Sequence, residues 1–92
     1  MNISILLPYK ENYSPEYPGA VSLFVHATTK LSIYKKKIFV YGNTDLKVKL
    51  SDKYINIPLD KTNLFKSQSK EYVRKFIKLH LDKKTDIVEI HN

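Results

Sequence analysis

Short apolar runs and amphipathic stretches alternate along the chain. Residues 3–7 (Ile-Ser-Ile-Leu-Leu) form a near-continuous apolar run, as expected of a strand covered on both faces, and Pro8 ends it. A polar, tyrosine-bearing loop follows and closes at Pro18-Gly19-Ala20. Ala20, Leu23, Phe24, Ala27 and Leu31 then recur at helical spacing, which predicts a helix over 20–32 with that stripe buried. Residues 38–41 (Ile-Phe-Val-Tyr) predict a second strand, stopped by the turn signal Gly42-Asn43. In 45–52, Leu46, Val48 and Leu50 alternate with lysines, and the segment reads as a strand, an extended loop or one helical turn. Residues 54–59 predict a shorter third strand near a sheet edge, because it ends at Pro58. Ser67 or Ser69 can cap a second helix, in which Val73, Phe76, Ile77, His80 and Leu81 share one face and Lys83 and Lys84 sit in the last turn. Residues 86–90 complete the pattern as a fourth strand before His91-Asn92.

The order is therefore β-α-β-β-α-β. With right-handed crossovers it predicts an α/β fold: a half-Rossmann-like, three-layer arrangement with a mainly parallel sheet in the order 3-2-1-4. Between the first and fourth strands the direction of winding reverses. Ligands of open α/β sheets bind outside the carboxyl ends of the strands at such a point. The loop 9–19 leaves the first strand there and His91 leaves the fourth, so two features far apart in sequence are expected to meet.

Composition narrows the class. Ninety-two residues suffice for one small domain, and the absence of cysteine excludes disulfides and thiolate metal sites. The apolar runs are far shorter than the roughly 20 residues of a membrane span, and residues 1–7 have no positively charged leader segment. A cytoplasmic location, at most against the inner face of a membrane, is the expectation. The net charge of +7 makes phosphates, polyanions and anionic membranes reasonable partners. The charge is spread out, however: Lys35-Lys36-Lys37 precede a strand, while Lys70, Arg74, Lys75 and Lys78 lie among carboxylates and apolar residues on a helix. This dispersal reads as a solvated surface and disfavours nucleic acid as the partner.

With these residues placed, the chain resembles the amino-terminal part of a family 4 type glycosyltransferase of the GT-B fold. The matching pieces are the apolar first strand, the small-residue motif Pro18-Gly19-Ala20 opening a helix, and Val88-Glu89-Ile90-His91-Asn92, similar to the strand ending in x-x-H-N of such enzymes. The resemblance implies sugar transfer from a nucleotide-diphosphate donor to a glycan or lipid-linked acceptor, with retention the expected outcome and no obligatory metal or other cofactor. It sets Gly19 and Ala20 against the donor diphosphate and sugar, and His91 against the donor sugar and phosphate as the catalytic candidate. Tyr9, Lys10, Glu11 and Glu16 would lie on the acceptor side. Family members also carry a second Rossmann-like domain that holds most of the nucleotide. Residues 1–92 contain only the start of the first domain, so the chain is expected to resemble a truncated piece without turnover of its own.

The residues themselves offer blander roles as well. Gly19 can simply serve a tight turn. His80 reads as a packed core histidine and His26 as a residue on the flank of the first helix. Tyr9, Tyr13 and Tyr17 can stack on sugar rings or merely anchor the loop. No metal-ligand spacing, hydrolase triad or P-loop lysine motif occurs. On charge alone the alternative is a small basic α/β module that binds nucleic acid or another polyanion. Ile87, Val88 and Ile90 on the last strand are expected to border an open sheet edge, where a second copy could pair.

Overall fold

The computed structural model describes residues 2–59, 67–83 and 85–91, and for 81–83 the backbone alone. Its elements are β1 (Ile3–Leu6), α1 (Ala20–Leu31), β2 (Ile38–Gly42), β3 (Tyr54–Asn56), α2 (Gln68–Lys83) and β4 (Ile87–Ile90), with a short 3-10 turn at Lys35–Lys37. The expected contributions of the Leu81, Lys83 and Lys84 side chains and of Asn92 lie outside the described residues.

All four strands are parallel, in the order β3-β2-β1-β4. Ile5 of the central β1 stands opposite Val40 on one side and Glu89 on the other. The chain first winds outward from β1 through β2 to β3 and then returns to the far side of β1. Right-handed crossovers in opposite directions place the helices on opposite faces of the sheet. Side-chain alternation along β1 serves both layers. Ile5 and Leu7 pack with Ile38, Val40, Tyr13 and Val25 of α1. Leu6 packs with Tyr41, Ile57 and the α2 residues Tyr72 and Phe76. A polar contact also enters this interior: the Ser4 and Thr85 hydroxyls lie 2.6 Å apart.

The segment 45–52 is neither strand nor helix. It crosses the α1 face as an irregular loop, pinned where the Leu50 N–H donates to the Tyr13 carbonyl at 3.1 Å. Ser67 precedes α2 and its carbonyl accepts the Glu71 N–H at 3.1 Å, while the Lys70 N–H reaches its hydroxyl at 3.5 Å.

One expectation is overturned. Helix α1 forms where its periodicity predicts, but the stripe Ala20, Leu23, Phe24, Ala27 and Leu31 is its exposed side, with Phe24 60% and Leu31 87% accessible. The helix instead buries Ser22 and Val25, with Val21, His26 and Thr29 half-buried beside them. The sheet has only four short strands, and α1 lies on it through the Val25 side, leaving the larger apolar residues beyond sheet cover. Helix α2 shows the same effect in part: Tyr72 and Phe76 are buried while Val73 and Ile77 are exposed.

Candidate ligand cleft at the carboxyl rim of the sheet

Because the sheet is wholly parallel, the segments leaving β1, β2, β3 and β4 emerge at one rim. His91 extends the β1–β4 ladder by one bond, its N–H donating to the Leu6 carbonyl at 3.0 Å. This fixes its backbone at the switch point. Its imidazole Nε2 lies 3.3 Å from Glu89 Oε1, and its ring centroid lies 6.4 Å from that of Phe24 on α1. His91 and Ile90 form one wall of a cleft of about 280 Å³, with Pro8 and Tyr9 from the loop after β1 and Tyr72 and Val73 from α2. The first turns of α1 and the end of β4 thus share a rim, as the strand order requires.

Gly19 is the N-cap of α1, with φ −77° and ψ 156°, an extended conformation open to any residue. Its lack of a side chain matters for space. A Cβ at this position would lie 1.8 Å from Glu11 Oε1 and 2.6 Å from Oε2. The Glu11 carboxylate occupies that room, and its Oε1 accepts the Ser22 N–H of the first helical turn at 2.9 Å. Helix amino termini carry unpaired N–H groups and attract anions, and here the chain's own carboxylate takes that seat. The loop is shaped to deliver it: Lys10 and Tyr17 adopt left-handed φ values of 65° and 46°, and the Gly19 N–H donates to the Asn12 carbonyl at 3.3 Å.

A larger cavity, about 440 Å³, opens on the β3 side of the same rim. Tyr9, Lys10 and Asn12 of the loop after β1 line it, opposite Asn43, Thr44 and Asp45 after β2, with Leu59 and Gln68 at its margin. A bonded polar framework joins these loops. The Thr44 hydroxyl donates to Asn12 Oδ1 at 2.7 Å, Asn12 Nδ2 donates to the Tyr17 carbonyl at 3.2 Å, and Asn43 Nδ2 donates to the Ile57 carbonyl at 2.8 Å. Asn12 lies in the loop 9–17 that the resemblance sets on the acceptor side, whereas Asn43 and Thr44 are not candidates from the sequence, where Gly42-Asn43 reads only as a strand stop. The usable signal was position: amides directly after parallel strands stand at the rim where ligands bind.

The acceptor-side candidates separate. Tyr9 and Lys10 line both or one of these openings, with the Lys10 ammonium 5.4 Å from the Tyr9 ring centroid. Glu11 turns to α1. Glu16 is exposed, its N–H donating to Ser14 Oγ at 3.1 Å, and Tyr17 is exposed beside it. Tyr13 is fully buried, stacked on Tyr54 at 5.4 Å and meeting the half-buried His26 edge-on, so it anchors the loop rather than offering a ring to a ligand. His80 stacks on Phe76 in the α2 layer. Ala20 opens α1 and is exposed. Burial pushes the Tyr54 and Tyr72 hydroxyls well above the ordinary tyrosine value, with Tyr54 and Glu11 adding to the effect at Tyr72.

Among the described residues no helix is long and apolar enough to cross a membrane, and no group of three or more His, Asp or Glu side chains gathers as a metal site would require. The fold is a small α/β sheet of four parallel strands with two helices, and openings lie at the rim where its strands end. Comparison with known proteins returns no matching family model, no matching curated protein and no matching solved structure.

Proposed function

We propose that the chain is the opening part of the amino-terminal domain of a nucleotide-sugar-dependent glycosyltransferase. In this reading the donor diphosphate and sugar lie between the Gly19-Ala20 end of α1 and His91, and the acceptor enters along Tyr9 and Lys10. The observation that carries the reading is the shared rim: the glycine-opened helix and the histidine ending β4 flank the carboxyl end of β1, with Phe24 and His91 rings 6.4 Å apart. His91 suits its role because an imidazole can donate a hydrogen bond to a sugar hydroxyl or phosphate oxygen whether neutral or charged. A diphosphate arriving at α1 meets the Glu11 carboxylate and must exchange with it or bind beside it.

The exposed apolar side supports a domain that continues. Ile87, Val88 and Ile90 of β4 are exposed, as are Phe24 and Val73 on the helices flanking that edge. An edge of this kind is a template for another strand. In the proposal it is covered by further parallel strands of the same domain or, in the isolated chain, by a second copy.

Titration of the isotopically labelled chain with UDP- and GDP-sugars, read by amide chemical shifts, tests the proposal. Saturable shifts at Gly19, Ser22 and His91, abolished by His91→Ala, are the expected result. Binding that ignores the sugar and His91 but falls steeply with salt would replace it with the polyanion-binding alternative.

A further inference from the structure

We propose that the corner formed by residues 31–37 docks on an anionic lipid bilayer, with Leu31 and Ile33 entering the lipid and the lysines around them meeting the lipid phosphates. This surface stands at the opposite rim of the sheet from the His91 cleft, and its chemistry does not depend on sugar transfer.

Helix α1 starts at the carboxyl rim and returns the chain to the beginning of β2, so its last turn and the residues after it stand at the amino rim. The corner there is a bonded turn. The Ser32 N–H donates to the Thr29 carbonyl at 3.1 Å, the Ser32 hydroxyl accepts the Tyr34 N–H at 3.0 Å, and the Lys37 N–H donates to the Tyr34 carbonyl at 2.7 Å. Leu31 and Ile33 project from it, 87% and 88% accessible, with Tyr34 exposed beside them. A lone exposed apolar residue is ordinary on a protein surface. Here two aliphatic side chains and a tyrosine leave one ordered turn together. A strand added at the β4 edge does not pair with this region, because the corner leads into β2, an interior strand already flanked by β1 and β3.

The fold also gathers charge that is dispersed along the sequence. Lys30, Lys35, Lys36 and Lys53 surround one hollow of about 210 Å³ between the end of α1 and the start of β3, with Ile38 and Val40 at its base and Lys37 next in the turn. Lys30, Lys35, Lys36 and Lys37 have no carboxylate partner among the described residues. Of the carboxylates at this rim, Asp52 lines the same hollow, and Asp86 accepts the Asn2 N–H at 2.8 Å. The ammonium groups outnumber them.

An aliphatic tip ringed by ammonium groups complements a bilayer that is apolar within and carries phosphate at its surface. A nucleic acid meets the charge but offers Leu31 and Ile33 no apolar interior. A second copy of the chain brings the same positive charge to the contact and is repelled. Docked through this corner, the chain turns the cleft beside His91 away from the membrane, since the two rims are opposite ends of parallel strands.

The test is flotation of the labelled 92-residue chain with vesicles of phosphatidylcholine alone and of phosphatidylcholine mixed with phosphatidylglycerol. Binding to the mixed vesicles only is the expected result, and lipids with a paramagnetic label in the acyl chain should broaden the amides of Leu31, Ile33 and Tyr34 while those of Gly19 and His91 stay sharp. Leu31→Ser with Ile33→Ser should weaken vesicle binding by about tenfold or more, and Lys35→Gln with Lys36→Gln by roughly twentyfold. All four side chains are exposed, so both variants should keep the native amide spectrum in the absence of vesicles. Equal binding to both kinds of vesicle, broadening centred elsewhere, or binding that ignores Leu31 and Ile33 overturns the inference. Self-association lost in the Leu31→Ser/Ile33→Ser chain, or duplex DNA binding, either one without vesicle binding, assigns the corner to another partner and overturns it equally.

Discussion

Glu11 fills the space that Gly19 leaves empty. Its carboxylate lies where a Cβ of residue 19 would be and caps α1 through the Ser22 N–H at 2.9 Å. Gly19→Ala should therefore displace a flexible side chain rather than the backbone, costing about 1 kcal/mol, the worth of a lost cap. Thermal or denaturant unfolding measures it. A loss of several kcal/mol would place a rigid group, not Glu11, beside residue 19.

Glu11→Gln keeps an oxygen for the Ser22 N–H and removes the charge. The helix dipole then loses its anion, at about 0.3 to 1 kcal/mol. Under the proposed function the variant binds nucleotide diphosphates two- to fivefold more tightly, because the incoming phosphate no longer meets a carboxylate. Calorimetric titration of the two proteins decides it; unchanged or weaker binding in the variant removes Glu11 from the donor site.

The orientation of α1 is open to a paired test. Val25 is 1% exposed and Leu31 87%. Val25→Ala should cost roughly 2 kcal/mol through lost burial and a cavity, whereas Leu31→Ser should change stability by less than about 0.5 kcal/mol. The reverse ranking in urea unfolding would mean that the helix lies on its Leu31 stripe.

Tyr72 ties α2 to the switch point by donating its hydroxyl to the Leu7 carbonyl at 2.6 Å. Tyr72→Phe should destabilise by about 1 to 2 kcal/mol, since a buried carbonyl loses its donor. The hydroxyls of Tyr54 and Tyr72 are raised above their ordinary value of 10.0 chiefly by burial. A raised folded-state value gives stability that is complete below the unfolded value and is lost as pH rises toward the folded one. Stability should hold up to about pH 10 and fall above it, with tyrosinate absorbance from these rings appearing together with unfolding. Early titration of all seven tyrosines in a still-folded chain would contradict that burial.

Self-association through β4 should respond to charge. Val88→Lys places an ammonium on the exposed edge and is expected to shift the isolated chain toward monomer in sedimentation at high micromolar concentration, with little change in stability. Equal association in both proteins would put the contact elsewhere.

Much of the architecture was legible without coordinates. The near-continuous apolar run of residues 3–7, the helical spacings around Phe76 and the turn signal at Gly42-Asn43 are local signals, and handedness converts their order into the sheet β3-β2-β1-β4. The shared rim of Gly19 and His91 follows from that order. The face of α1 was not legible, because Leu23, Phe24 and Leu31 outrank Val21, Ser22 and Val25 in size, and periodicity reads size rather than position over a narrow sheet. Nor was the role of Glu11 or the Asn12–Thr44 bond, each of which depends on how loops fold toward one another.

The amino-acid sequence by itself determined the elements, their parallel order and the rim where they converge, since these arise from short-range periodicity and chain chirality. Only the tertiary structure decided which side of α1 is covered, that Glu11 occupies the helix end beside Gly19, and that Asn12, Asn43 and Thr44 form one polar floor. Those outcomes come from packing and hydrogen bonding between segments up to 32 positions apart, as from Asn12 to Thr44, where many side chains compete for the same space.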